Sequence, residues 1–343
     1  MKKYKLSSFF KYLIISAFAV LFTVINPTGV LASEGDEEEF NPAELINHHI
    51  LDDYVWHFWD GHYGTIFLPV IIYSDDRGLE VFSSSNLFDE DHNAIPYNDY
   101  EYHHSYLAST SGREFIDVSI TKNVAFLFIN SGLLLFVFLA VARGYKKNEG
   151  QAPRGIQSLF EPIIIYVRDE IVKPNIGPKY ERFLPYMLTL FFFIWFGNLL
   201  GLLPGAANLT GNIAVTSVLA IITLILVLIN SNKNYWVHIF NTPGVPWWLK
   251  LPVPIMPGVE FIGIFSKPFS LLIRLFVAIT AGHIVILSLI SLTFIFQSYT
   301  VGFLSTLVIV FINIIEILVA TIQAYVFTLF SSMYIGMAME EHH

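Results

Sequence analysis

Two stretches near the C-terminus, Pro257–Phe296 and residues 301–337, are apolar for far longer than one bilayer crossing requires. At 1.5 Å of rise per residue they reach roughly 60 and 55 Å as helices, against a hydrocarbon thickness of ~30 Å. Helices of that length must tilt steeply, kink or project from the membrane, and Pro268 is a candidate kink. Only a few residues join the two, so they pair as an antiparallel hairpin. Upstream, residues 124–142, 183–203 and Ile213–Ile229 are three more charge-free apolar runs. The pattern predicts an all-α polytopic membrane protein with five transmembrane helices, the last two long and tilted.

Composition agrees. The 343 residues are 54% hydrophobic and 14% charged, where an ordinary soluble domain carries about 25% charged residues. That argues against a soluble enzyme, and the apolar content argues against disorder. With no cysteine, disulfides, Cys-ligated metal sites and thiol catalysis are excluded. The net charge of −9 argues against a nucleic-acid partner.

Charge is segregated along the chain. Residues 1–32 read as a signal peptide: Lys2, Lys3, Lys5 and Lys11, then an apolar run over 12–25, then Val30, Leu31 and Ala32 before a cleavage point. The alternative, an uncleaved anchor, would rise only about 21 Å. Residues 33–122 hold 19 Asp and Glu against Arg77, Arg113 and Lys122, a net −16 that leaves the rest of the chain at +7. Seven of the 11 histidines also lie there (48, 49, 57, 62, 92, 103 and 104), in no spacing distinctive of a metal site. Runs at 65–73 and 80–82 suggest short strands, and the acid run 34–39 suggests a tail. This zone is expected to be a small exported domain whose field concentrates cations nearby, within the ~8 Å that physiological salt allows.

Residues 123–343 form the membrane domain. The 143–182 loop carries eight Lys or Arg, the 231–256 loop carries Lys233 and Lys250, and the intervening loops carry none. Positive loops stay inside, which puts the acidic zone outside and the C-terminus inside. Residues 156–172 mix apolar and charged positions around Pro162 and are expected to lie along the membrane surface, a plain cytoplasmic helix being the alternative.

Ionisable groups within the apolar runs cost ~2.5–3.5 kcal/mol at a helix centre. Glu260, Arg274, His283 and Glu316 are such groups, and Gln323 adds a strong dipole. Glu260 precedes Arg274 by 14 residues, about 40° round the helix and ~21 Å along it. His283 follows by nine, which turns it to the opposite side, ~13 Å along. Glu316 and Gln323, seven apart, share a face with ~10 Å between them. An antiparallel partner therefore places an Arg274–Gln323 layer at mid-membrane and a His283–Glu316 layer nearer the outside. The latter pair suits a proton relay. The Arg274 face carries the small residues Ser270, Ala278, Ala281 and nearby Gly282, which admit another helix. The chain offers Arg274 no matching acid, so that acid is expected on another subunit.

These residues carry a resemblance. SKPFSLLIRLF at 266–276 followed by AGH at 281–283, NLLGLLP at 198–204, TGNIAVT at 210–216 and QAYVF at 323–327 closely resemble, in order, the motifs of the subunit a family of F-type ATP synthases. The resemblance spans roughly residues 124–340, and the acidic zone looks like the extended N-terminus of some bacterial members. It implies a non-catalytic, proton-translocating stator subunit of the bacterial inner membrane, without cofactor or metal. Its partners would be a c-subunit ring, b-type stator subunits and, indirectly, the F1 sector. By position, Arg274 matches the arginine facing the c-ring carboxylate and Gln323 the glutamine near it. His283 and Glu316 match the polar pair of the outside half-channel, Asn198 and Asn212 its lining, and Glu260 and Ser270 the inside half-channel. Two positions depart from the pattern: Ala278 replaces the usual asparagine, and Gly201 stands where some members carry an acid. A secondary transporter would also explain midplane charges but normally shows internal repeats, and none is found. A structural membrane assembly subunit would explain the topology but not the charged layers.

Overall fold

A computed structural model describes residues 42, 50–57, 64–89, 93–103, 105–203, 205–240 and 255–340. The signal-peptide segment, the acid run 34–39 and His48, His49, His62, His92 and His104 lie outside the described residues.

The N-terminal part is built of short antiparallel strands. β1 (Val55–His57) pairs with β2 (Thr65–Phe67), and β3 (Pro69–Ser74) lies between β4 (Gly78–Ser83) and β7 (Ile116–Asp117), while β5 (Tyr100–His103) pairs with β6 (Tyr106–Ser109). The single run expected at 65–73 is divided at Leu68 between two sheets, and the run at 80–82 lies inside β4. The β3–β4 turn closes at Gly78, whose φ of +74° favours glycine. Alternation in β3 buries Val70 and Ile72, which form a core with Tyr54, Leu87, Tyr100 and Leu107.

Eight helices follow in the described chain. α1 (Lys122–Lys147) starts under Asp52, whose carboxylate accepts from the Asn123 amide at 3.0 Å and the Thr121 hydroxyl at 2.8 Å. An acid there satisfies orphan amides and complements the helix dipole. α2 (Ile156–Tyr166) carries Pro162, passes through a π-helical stretch (Val167–Val172), and continues into α3 (Lys173–Ile176). Gly177, at φ +74°, and Pro178 then turn the chain into α4 (Tyr180–Gly201). α5 (Ile213–Ile229) and the short α6 (Lys233–Phe240) precede the hairpin of α7 (Ile255–Phe296) and α8 (Tyr299–Met339).

Four helical runs are long and apolar enough to cross a membrane: Lys122–Lys147, Ile156–Gly201, Pro257–Phe296 and Tyr299–Met339. α5 has the expected bounds, but its 17 residues reach only about 26 Å. α7 and α8 hold 42 and 41 residues, about 63 and 62 Å, and α7 is continuous through Pro268. Buried aromatics of α4, among them Phe183, Phe191 and Phe192, pack with Phe160 of α2 and Phe327 of α8. Outward faces stay apolar, with Phe136 67%, Ile262 67% and Phe303 74% exposed, as suits a lipid solvent. The Asn232 side chain donates to the Met339 carbonyl at 2.7 Å, and its backbone amide donates to the Ala338 carbonyl at 2.8 Å. The α8 C-terminus thus has partners for two orphan acceptors.

Candidate functional site: a split polar belt in the helix bundle

Three contacts set the hairpin register. The Lys267 ammonium lies 5.7 Å from the Tyr334 ring, His283 meets Glu316, and a side chain at Gly302 would touch Thr293. In the tightest of these, His283 Nδ1 is 3.0 Å from Glu316 Oε1 and Nε2 is 3.2 Å from the Gly201 carbonyl. The two side chains are 11% and 4% exposed. The carbonyl can only accept, so Nε2 carries a hydrogen. One more proton must then lie between Nδ1 and Oε1, on the imidazole as an ion pair or on the carboxyl as a neutral pair. The buried pair thus shares one proton between its two groups. Glu316 Oε2 is buried with no hydrogen-bond partner among the described residues.

Gly282 explains how the helices come so close. An added Cβ there would collide with the Glu316 carboxylate. The sequence grouped Gly282 with the small residues that admit a foreign helix. Instead its missing side chain makes room for Glu316 of the same chain. Ser270, Ala281 and Arg274 are exposed, and Ala278 is half-buried.

Arg274 points away from the pair, as the half-turn offset requires. Its guanidinium stands 4.8 Å from the Phe330 ring centre, a cation–π contact worth ~0.5–1 kcal/mol when exposed. No carboxylate among the described residues pairs with it. The register puts Gln323 within about one turn of Arg274 in height. The arginine side chain leans toward its helix N-terminus and so reaches Phe330, and Gln323 stays half-buried on α8.

Asn198 joins the His283 side of the belt. It is 1% exposed, accepts from the Thr210 hydroxyl at 2.6 Å and donates to the Ala320 carbonyl at 3.5 Å. Ala320 is one turn from Glu316, and Gly201 is one turn from Asn198. Asn212 does not join them: its side chain caps α5, accepting from the Ala214 amide at 2.8 Å. Glu260 is half-buried in the first turns of α7, where its charge acts on Tyr235 of α6. Burial first, and then Glu260, raise the Tyr235 hydroxyl above its ordinary range. The site therefore collects Asn198, His283 and Glu316, leaves Arg274 and Ser270 together on an outer face, and keeps Glu260 remote. Sequence reasoning missed Thr210, although it lies in the quoted 210–216 motif, and missed the role of the Gly201 carbonyl, for which a glycine gives no signal. It also missed the clip from the Trp195 indole to the Thr321 hydroxyl at 3.1 Å. Among the described residues no group of three or more His, Asp or Glu could hold a metal ion.

The family model for the ATP synthase A chain matches residues 124–336. The chain belongs to the ATP synthase subunit a family. An ATP synthase subunit a of Chlorobium phaeobacteroides is 37% identical over 325 residues, 92% of this chain and 80% of the relative. That of Chloroherpeton thalassium is 43% identical over 234 residues, 66% of this chain and 69% of the relative. A subunit a 2 of Chlorobaculum tepidum is 37% identical over 314 residues, covering 90% and 76%. The resemblance read from the motifs is borne out. As a member of the family, the chain is a non-catalytic membrane-sector subunit serving proton transport for ATP synthesis. All eight residues that the resemblance singled out lie within the matched range. A second family model, a domain of unknown function (DUF8433), matches residues 45–125.

Proposed function

We propose that the chain is the stator subunit that lines two offset proton half-channels and presents Arg274 to a carboxylate on a rotating c-subunit ring. The observation that carries this reading is the division of α7 into two faces. One bears an exposed guanidinium with no acid partner among the described residues, and the other bears the buried His283–Glu316 proton store. Protons reach the pair from outside past Asn198 and neutralise a rotor carboxylate, which can then face lipid. After nearly a full turn the carboxylate meets Ser270 and Glu260 and releases its proton inside. Arg274 attracts the ionised carboxylate and repels a passing proton, so the channels do not short-circuit. A charge crossing 100 mV supplies ~2.3 kcal/mol. Asn212 acts here through its cap, which fixes the start of α5 beside Thr210.

The reading carries the topology with it: five spans with α5 as the shortest, a cleaved signal, the strand-bearing domain in the periplasm and the C-terminus in the cytoplasm of a bacterial inner membrane. The b-type stator subunits and F1 complete the assembly. Replacing Arg274 by Ala in the whole synthase should abolish ATP-driven proton pumping in vesicles with subunit content unchanged. Retained pumping would refute the assignment.

A further inference from the structure

The strand-bearing N-terminal domain is tied to the loop that follows α4, and that loop holds the His283 side of the belt. The Trp56 indole donates to the Gly205 carbonyl at 2.6 Å. Gly205 has φ +76°, a turn conformation that folds the loop back over the last turn of α4. Trp56 also packs edge-on against Phe126 of α1, in one buried cluster with Leu68, Ala207 and Leu209. Two of those five residues come from the strand domain. Trp56 and Leu68 are each 7% exposed, and Leu209 is 0%. A polar cavity of about 40 Å³ lies at the same seam, bordered by Asp53, His57, Lys122 and Gly205.

From this loop three contacts reach the proton-carrying groups. Leu209 fills the space over Gly197, where an added Cβ would stand 3.2 Å from it. The Ala207 carbonyl backs Gly201, whose own carbonyl accepts from His283. Thr210 donates to Asn198. A shift of the loop therefore moves the partners of both His283 and Asn198, and leaving a buried polar group without its partner is costly.

We infer that the domain over residues 45–125 is a working part of the proton path, clamping the 205–210 loop so that Gly201 and Thr210 hold His283 and Asn198 in place, with Trp56 as the positioning residue. This rests on the half-channel reading above and gives a task to the domain of unknown function. Trp56 touches neither proton store nor rotor and acts only through the loop.

The test uses the assembled synthase in vesicles and a double-mutant cycle between Trp56→Phe and Thr210→Val. Trp56→Phe keeps an aromatic ring in the cluster with Phe126 while removing the indole donor and part of the buried volume, and subunit content in the purified complex is measured beside pumping. The substitution should lower ATP-driven pumping about two- to tenfold, the range one net hydrogen bond carries, and Trp56→Ala should lower it further. Loss through a shared loop makes the double variant lose less than the product of the single losses. Undiminished pumping in Trp56→Phe at wild-type subunit content, or strictly multiplicative losses, would overturn the inference. The Arg274→Ala variant run alongside separates the two ideas. If it still pumps, the half-channel reading fails; if it does not while the cycle is multiplicative, only the clamp fails.

Discussion

Replacing Gly282 by Ala tests the geometry of the proton store directly. In an ordinary helix interior this change stabilises by roughly 0.5–1 kcal/mol, because glycine has more backbone freedom to lose. Here the new Cβ would stand 2.9 Å from Glu316 Cδ and 3.0 Å from Cγ, and nearer still to Oε1. The atoms in the way belong to the end of a flexible side chain, so the bundle itself can absorb the methyl. What cannot survive is the 3.0 Å contact with His283. Overpacking of this kind costs ~1–3 kcal/mol, and separating a buried pair costs ~3–5 kcal/mol where one charge is left uncompensated. Even ~1.4 kcal/mol expressed in the proton-transfer barrier is tenfold in rate. Gly282→Ala is therefore expected to assemble normally and to pump at least about tenfold more slowly. Gly263→Ala is the control, because that glycine lies on the same helix and an added Cβ there meets nothing within 4 Å. The readouts are ATP-driven acidification of vesicles and the amount of subunit in the purified complex. Equal pumping by the two glycine variants would refute the close-approach account.

Two further outcomes follow from other parts of the fold. An added Cβ at Gly336 would overlap the Asn175 carbonyl oxygen and stand 2.9 Å from its carbon. That obstacle is backbone, so Gly336→Ala should deplete the subunit from the complex, read by immunoblot of the assembled sector; normal content would show that α3 can move off α8. In the strand domain, burial first, and then the hydrogen bonds and charges of Asp117 and Asp53, raise the Tyr54 and Tyr102 hydroxyls. Unfolded tyrosine releases its proton near pH ~10 while these retain theirs, so the unfolded state binds fewer protons there and stability falls as pH rises above ~10. Protease resistance of the domain should decline in that window, and less steeply in Tyr54→Phe; an unchanged alkaline limb in the variant would count against it.

The hairpin was legible because helix periodicity is rigid. Nine residues from Arg274 to His283 make a half turn, and a short link makes the partner antiparallel, so the His283–Glu316 contact follows from counting. The partner of Arg274 was not, because side-chain lean moves a long guanidinium most of a turn from its Cα, to Phe330 and away from Gln323. Apolarity continuing through Leu68 suggests a single strand over 65–73, whereas the division there comes from different pairing partners, β1 for β2 and β4 and β7 for β3. The resemblance assigns Asn212 to a channel lining, and Asn before an apolar run is also an N-cap signal in its own right, which the cap on α5 fulfils. Backbone acceptors such as the Gly201 and Gly205 carbonyls leave no mark in side-chain identity.

Under the half-channel reading, the energy available to drive the proton bears on where the pair and the arginine stand. When the extra proton sits on His283, Glu316 opposite it is ionised, so the pair is neutral as a whole and adds little repulsion toward Arg274. Even an uncompensated cation at His283, ~13 Å from Arg274 along the axis, would repel it by only about 1.3 kcal/mol at an effective dielectric constant of ~20. That upper limit is less than the ~2.3 kcal/mol a proton gains across 100 mV, so the pair can be loaded while Arg274 keeps its charge. Gly282 and Gly201 both serve that arrangement. The missing side chain of Gly282 admits the neutralising carboxylate of Glu316, and the Gly201 carbonyl supplies the acceptor for Nε2–H.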